Sequence, residues 1–244
     1  MTRVGLLIPF YNERLRFSTK YLLELSQNAP EGFHCYLIDD GSTDGLSEVL
    51  LTFLTSENLS NVSVIISPKN VGKANAIRFG FGNINLRKFD YVGFTDADFS
   101  AKPGEIIRLV EITSTSKKHM IFGARTKVED NLIVTSRFRF LQGLGFNFLV
   151  WKMFGKRFLD LQCGLKFFYV GEHFISGLIE PFTNKWLFEL ELILRLNQLA
   201  ALDIQEVVLA SWEHVGDSKV SPHDSLGVIF GLFRLRKKYG MLGH

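Results

Sequence analysis

Short apolar runs rich in β-branched and aromatic residues recur at 4–9, 35–38, 62–66 and 91–94, separated by stretches of helical period around 14–28, 44–57 and 72–83. This alternation predicts an α/β fold with a mainly parallel, doubly wound sheet, whose ligand site lies beyond the carboxyl ends of its strands. Each run ends in a polar cluster. The first ends in Pro9, Phe10, Tyr11, Asn12 and Glu13, and the second in Asp39, Asp40, Gly41, Ser42, Thr43 and Asp44. The third ends in Pro68, Lys69, Asn70, Val71, Gly72 and Lys73, and the fourth in Thr95, Asp96, Ala97, Asp98, Phe99 and Ser100. Lys102, Pro103 and Gly104 then break the chain before a new helix. Four strand ends therefore converge on one cleft.

Two later segments depart from this rhythm. Residues 138–154 are apolar almost all round, interrupted by Asn147 and Lys152, which suits a buried helix or one laid on a membrane. Leu226, Ile229, Phe230 and Phe233 follow helical spacing and run into Arg234, Leu235, Arg236, Lys237 and Lys238. That pattern suits an interfacial helix on anionic lipid or a core-packed helix with a solvated basic end. Neither segment offers the uninterrupted run of about 20 apolar residues that crosses a bilayer. The opening MTRVGLLIPFYNE lacks the basic segment and apolar stretch of a secretory signal, so a soluble or peripheral protein is expected.

Composition narrows the class. A chain of 244 residues with 46% hydrophobic content can bury a sizeable core, and it shows no repeats, low-complexity tracts or long linkers, so one compact domain is expected. With 28 basic against 25 acidic residues, the net charge of +3 argues against bulk nucleic-acid binding and leaves function to local placement. Cys35 and Cys163 make neither a disulfide framework nor a zinc set, which suits a reducing cytosol.

The polar clusters have physical jobs. Asp96 and Asp98 stand one residue apart at a strand end, so one can face a divalent ion and the other a neighbouring hydroxyl. Asp39 or Asp40 can accept hydrogen bonds from a base imide or ribose, Gly41 permits a tight turn, and Ser42 or Thr43 can cap the following helix. Gly72 lets backbone approach a ligand, and Lys73 brings a point charge to phosphate. Any one cluster alone is ordinary turn and cap chemistry; four in register point to a phosphate-and-metal site. His214 is a further candidate metal ligand, although a lone histidine is more often an ordinary hydrogen-bonding residue.

In this order and at these intervals, PFYNE, IDDGSTDG, KNVGKANAIRFGF and TDADFS resemble the nucleotide-sugar half of family 2 glycosyltransferases of the GT-A fold. GAR at 123–125, SRFRF from Ser136, DLQCGLKFF from Asp160 and WLFELEL from Trp186 resemble the branch of dolichyl-phosphate and polyprenyl-phosphate glucosyl- and mannosyltransferases. The block at 160–166 is the most discriminating piece and leans toward the dolichyl-phosphate glucosyltransferase type. Ala74, Thr135, Leu161 and Glu189 depart from the usual residues of these motifs, which bears on substrate more than on reaction class.

The resemblance implies a single domain with a nucleotide-sugar half at 1–100, an acceptor half at 101–220 and an amphipathic basic helix at 221–244. It implies inverting transfer of a hexose from UDP-glucose or GDP-mannose to a polyprenyl or dolichyl phosphate, at the inner face of a membrane and assisted by Mg2+ or Mn2+. Pro9, Tyr11, Glu13, Asp39, Asp40, Asn70, Gly72, Lys73 and Asp96 are then the donor-binding residues, with Asp96 and Asp98 on the metal. Asp98, Asp160 and Arg139 are the catalytic candidates. Arg125, Ser136, Arg139 and Lys219 are the candidates for cradling the acceptor phosphate, with Arg137 a less favoured neighbour. A glycosyltransferase acting on a soluble or glycan hydroxyl and a non-catalytic nucleotide-sugar-binding protein are the competing classes; the presence of both aspartates, Lys73, Asp39 and Asp40 weighs against the latter.

Overall fold

Side chains alternate across a strand, and along β1 (Val4–Phe10) both sides are apolar: Leu6 and Ile8 enter one hydrophobic cluster and Leu7 the other. A strand buried on both faces requires helices on each side of its sheet. The computed structural model describes residues 1–129, 131–134, 137–213 and 222–241, with 137–140 and 222–226 described by backbone alone. β1 is followed by α1 (Thr19–Asn28), β2 (Phe33–Asp39), α2 (Leu46–Glu57), β3 (Val62–Ile66), α3 (Lys73–Gly82), β4 (Tyr91–Phe94) and α4 (Pro103–Thr115). The second half adds β5 (Met120–Ala124), β6 (Leu132–Val134), α5 (Arg137–Phe154), β7 (Lys166–Tyr169), α6 (Glu172–Gly177), α7 (Phe188–Leu199), β8 (Ile204–Val208), β9 (Ser211–Glu213) and α8 (Pro222–Tyr239).

Seven strands form one sheet in the order β3-β2-β1-β4-β7-β5-β8, and β6 pairs with β9 in a small second sheet. All neighbours in the large sheet are parallel except β7, which is antiparallel to both β4 and β5. The α/β expectation of a mainly parallel sheet between helical layers therefore holds, with one reversed strand. Leu22 and Leu25 of α1, Leu46 and Leu50 of α2, and Ile106 and Leu109 of α4 bury against one face. Residues of α3, α5, α6, α7 and α8 form the cluster on the other. The first helix starts later than its periodicity suggested, because the Ser18 side chain accepts from Tyr21 N–H and caps it there.

Register decides what the sheet presents at its carboxyl end. Phe10, Asp39 and Ile66 end level with one another, whereas β4 stops at Phe94 opposite Leu7, so the chain from Thr95 onward crosses the end of the sheet. Because β7 runs the other way, its first residue, Lys166, lies opposite Phe94 and Phe122 at this same end. The segment 160–166 is thereby delivered to the strand ends that carry the polar clusters.

Candidate active site

The loops after the first three strands are tied to one another by side chains of the predicted clusters. Asn12, in a left-handed conformation at φ 51°, donates its backbone N–H to Ser42 Oγ at 2.9 Å and accepts Thr43 N–H on its own side chain at 2.8 Å. Asp39 accepts Ser42 N–H at 2.9 Å and the Ser47 hydroxyl, and Asp40 accepts Val71 N–H at 2.9 Å and Gly72 N–H at 2.8 Å. Both carboxylates are buried, and they shape the loops that edge the cleft. Burial pushes the Asp40 carboxyl up, the two N–H groups oppose this, and the neighbouring Asp39 charge adds to the rise. Gly41, at φ 67°, passes so close to the next loop that a Cβ there would lie 2.6 Å from Asn70 N. Pro9 is half-buried beneath this rim, and Tyr11 and Asn70 are exposed on it; Glu13 pairs with Arg16 at 2.6 Å.

Beyond β4, Asp96 meets Lys73 of α3, with Nζ to Oδ1 at 2.5 Å. Burial pushes the Asp96 carboxyl up, but the charge and hydrogen bond of Lys73, with Lys166 and Arg125 behind, outweigh it and hold the carboxyl below its ordinary range. Burial alone would pull Lys73 down, and Asp96, Glu189 and Asp98 reverse this. Asp98 accepts Ser100 N–H at 2.9 Å across a turn in which buried Phe99 adopts φ 49°. A bulky residue in that region is strained, and the burial of Phe99 against Tyr21 together with the Asp98–Ser100 hydrogen bond holds the turn that carries Asp98.

On the other side, Arg125 donates Nε at 2.6 Å and its backbone N–H at 3.0 Å to one oxygen of Asp160, and Nη2 at 2.9 Å to the other. Its guanidinium lies 5.1 Å from the Trp212 ring centroid. Glu206 accepts both Leu159 N–H at 2.7 Å and Asp160 N–H at 3.1 Å, so this loop is held from two directions. Lys166 has no exposed side-chain surface; its ammonium donates to the Cys163 carbonyl and faces Glu189 Oε2 at 3.3 Å. Burial pushes the Cys163 thiol up to about 12, which keeps it protonated and unreactive at neutral pH.

The fold thus brings together Asp39, Asp40, Gly72, Lys73, Asp96, Asp98, Arg125 and Asp160. Arg139 lies in the first turn of α5, described by backbone alone, and Ser136, His214 and Lys219 fall outside the described residues. Lys166 and Glu189 lay inside quoted motifs without an assigned role, and their pairing joins β7 to α7. An acidic residue in the first turn of a helix following an apolar run was the available signal. Among the described residues no three His, Cys, Asp or Glu side chains gather as an all-protein metal cage. Asp96 and Asp98 are carboxylate oxygen donors one residue apart, and their chemistry fits an ion of the Mg2+ or Mn2+ kind.

Glycosyl transferase family 2 is the class to which this fold and sequence belong: the family profile matches residues 6–177, and the chain is a glycosyltransferase of that family. Among its relatives, it is 27% identical over 252 residues to a dolichyl-phosphate beta-glucosyltransferase of Dictyostelium discoideum, covering 97% of this chain and 74% of the relative. It is 28% identical over 233 residues to the human protein of the same name, covering 90% and 70%. An undecaprenyl-phosphate 4-deoxy-4-formamido-L-arabinose transferase of Yersinia enterocolitica is 29% identical over 168 residues, covering 67% of this chain and 48% of that one. In fold the chain is similar to glucosyl-3-phosphoglycerate synthase from Mycobacterium tuberculosis, solved with Mn2+, UDP and phosphoglyceric acid. That likeness has a TM-score of 0.68 at 17% identity and covers 98% of this chain and 79% of the other.

Proposed function

We propose that the chain transfers a hexose, with glucose favoured over mannose, from a nucleoside-diphosphate sugar to a polyprenyl or dolichyl phosphate, inverting the anomeric carbon. The observation that carries this reading is the reversed strand β7, which brings the block 160–166 to the sheet end holding Asp96 and Asp98. Motifs of the lipid-phosphate branch thus share one cleft with the nucleotide-sugar loops. Relatives named for dolichyl phosphate that align over 90% or more of the chain support the same acceptor.

Asp98, with Asp96 beside it, would hold a Mg2+ or Mn2+ ion, which when bound would supply Lewis acidity for the departing diphosphate. Lys73, partly exposed at the mouth of α3, turns its charge to the diphosphate. Pro9, Tyr11, Glu13, Asn70 and the loops tied by Asp39 and Asp40 receive the base and ribose. A phosphate monoester is largely ionised at neutral pH and needs cationic steering more than a general base. Arg139, Ser136 and Lys219 provide that steering, while Arg125 and Asp160 form the wall against which the acceptor rests.

The acceptor is met at a membrane surface. On α5, Leu141, Leu144, Phe148 and Leu149 are exposed, and on α8, which packs against it, Phe230 is 71% and Phe233 63% exposed. Arg234 and Lys237 lie exposed beside this apolar strip, the combination that binds anionic lipid. Among the described residues no helix is long and apolar enough to cross a membrane.

The decisive assay offers UDP-glucose and GDP-mannose with Mg2+, Mn2+ or EDTA to a short polyprenyl phosphate and to a free sugar hydroxyl. Metal-dependent glucosylation of the phosphate is expected. Faster transfer to the hydroxyl would overturn the lipid-phosphate reading, and Glu189, which faces Lys166 and acts on the charge of Lys73, would then be the residue to examine.

A further inference from the structure

We propose that Gly164 is a positioning residue of the donor site, acting through Asp96. A Cβ built on Gly164 would lie 2.7 Å from Asp96 Cγ and 3.2 Å from Oδ1, with Oδ2 closer still, an approach that real Cβ atoms do not make. Gly41 and Gly72 have positive φ values of 67° and 80°, but Gly164 does not, so backbone conformation does not demand glycine there. What demands it is the space taken by a carboxylate.

The surrounding chain has little room to retreat. Cys163 and Leu165 are fully buried, Gly123 N–H donates to the Leu165 carbonyl at 3.0 Å, and Cys163 N–H to the Asp160 carbonyl at 3.3 Å. A methyl group at 164 therefore displaces the Asp96 carboxylate, the softer of the two partners. That carboxylate carries Lys73 at 2.5 Å and also lies in the field of Lys166 and Arg125. By lacking a side chain, Gly164 keeps Asp96 as the counter-ion that aims Lys73, and leaves the metal side of the pair to Asp98. The functional half of this inference rests on the donor site proposed above; the contact between Gly164 and Asp96 does not.

The test is a double-mutant cycle on the full chain: parent, Gly164→Ala, Asp96→Ala and the pair, read by thermal unfolding without metal or nucleotide and by UDP calorimetry with Mn2+ or EDTA. Gly164→Ala should lower the unfolding midpoint by about 4 °C in the parent and by less than half of that in the Asp96→Ala background. UDP affinity should fall about tenfold in Gly164→Ala yet fall no further when that change is added to Asp96→Ala. A glycine needed only for the chain path would cost the same in both backgrounds, and that result overturns the proposal. Should Gly164→Ala fail to fold, folding of the double variant supports the contact, and a double variant no better than the single one overturns it. A parent that in the same calorimetry binds neither UDP nor GDP refutes the donor site and with it the role of Gly164 there, while the unfolding cycle still decides the contact.

Discussion

Replacing Asp160 by alanine removes the partner of a cation that cannot easily return to water. In the folded protein the Asp160 side chain is 11% exposed and that of Arg125 29%, and three N–H groups of Arg125 converge on the carboxylate. Breaking a buried pair from one side costs about 3–5 kcal/mol, and the partial exposure of Arg125 brings the expectation here to about 2–3 kcal/mol. For a chain of this size that is a fall of about 4–12 °C in the unfolding midpoint. The pH dependence has a definite sign. Burial raises the Asp160 carboxyl and Arg125 more than compensates, so its folded pKa lies below the ordinary value and the pair stabilises the fold at every pH above that value. The gap between parent and variant should accordingly be constant from neutral pH down to about pH 5 and close only below the unfolded carboxylate pKa of about 3.9, as acid protonates the parent. Thermal unfolding followed by circular dichroism across this range measures it. An unchanged midpoint in Asp160→Ala at pH 7, or a gap that closes already near pH 6, would refute the view that this pair holds the acceptor wall.

Three further outcomes follow from the proposed chemistry. Asp98→Asn should lower metal-dependent transfer about a hundredfold or more while leaving the unfolding midpoint near that of the parent, since the amide keeps the shape but loses the charge that holds the ion. Arg139→Ala should raise the acceptor KM with donor affinity unchanged, as steady-state kinetics in both substrates will reveal; an equal loss for both substrates contradicts its place in the acceptor cradle. Replacing Arg236, Lys237 and Lys238 by glutamine should weaken binding to phosphatidylserine vesicles by about 1 kcal/mol per charge in a sedimentation assay, with high salt masking the difference. A parent that does not sediment with such vesicles rejects the membrane-facing strip.

The first four strands and their terminal loops were legible because their determinants are local. Two-residue and helical periods and glycines at the turns act over a few residues, so β1 to β4 and the polar clusters after them emerged together with the cleft they share. The cap expected at Ser42 or Thr43 did not form: α2 is preceded by Gly45 without a side-chain cap, and Ser42 instead accepts Asn12 N–H. The exposed faces of α5 and α8 were not legible in the same way. A segment apolar almost all round has no preferred side, and only its packing settled that Val150 and Phe154 turn inward while Leu141, Leu144 and Phe148 face out.

The reversed insertion of β7 between β4 and β5 lay further from reach still, since strand direction and neighbour are set by competition among all the strands for the same hydrogen bonds. From it follow the features that complete the site. Arg125 finds Asp160, 35 residues away, Lys166 finds Glu189 on another element, and Gly164 comes against Asp96. Each residue type was visible along the chain as a charge or a glycine in a motif. Which charge meets which is a property of distance in space, because a buried ion is stabilised only by a partner within a few ångströms, and the assembly of the sheet brings those partners into reach.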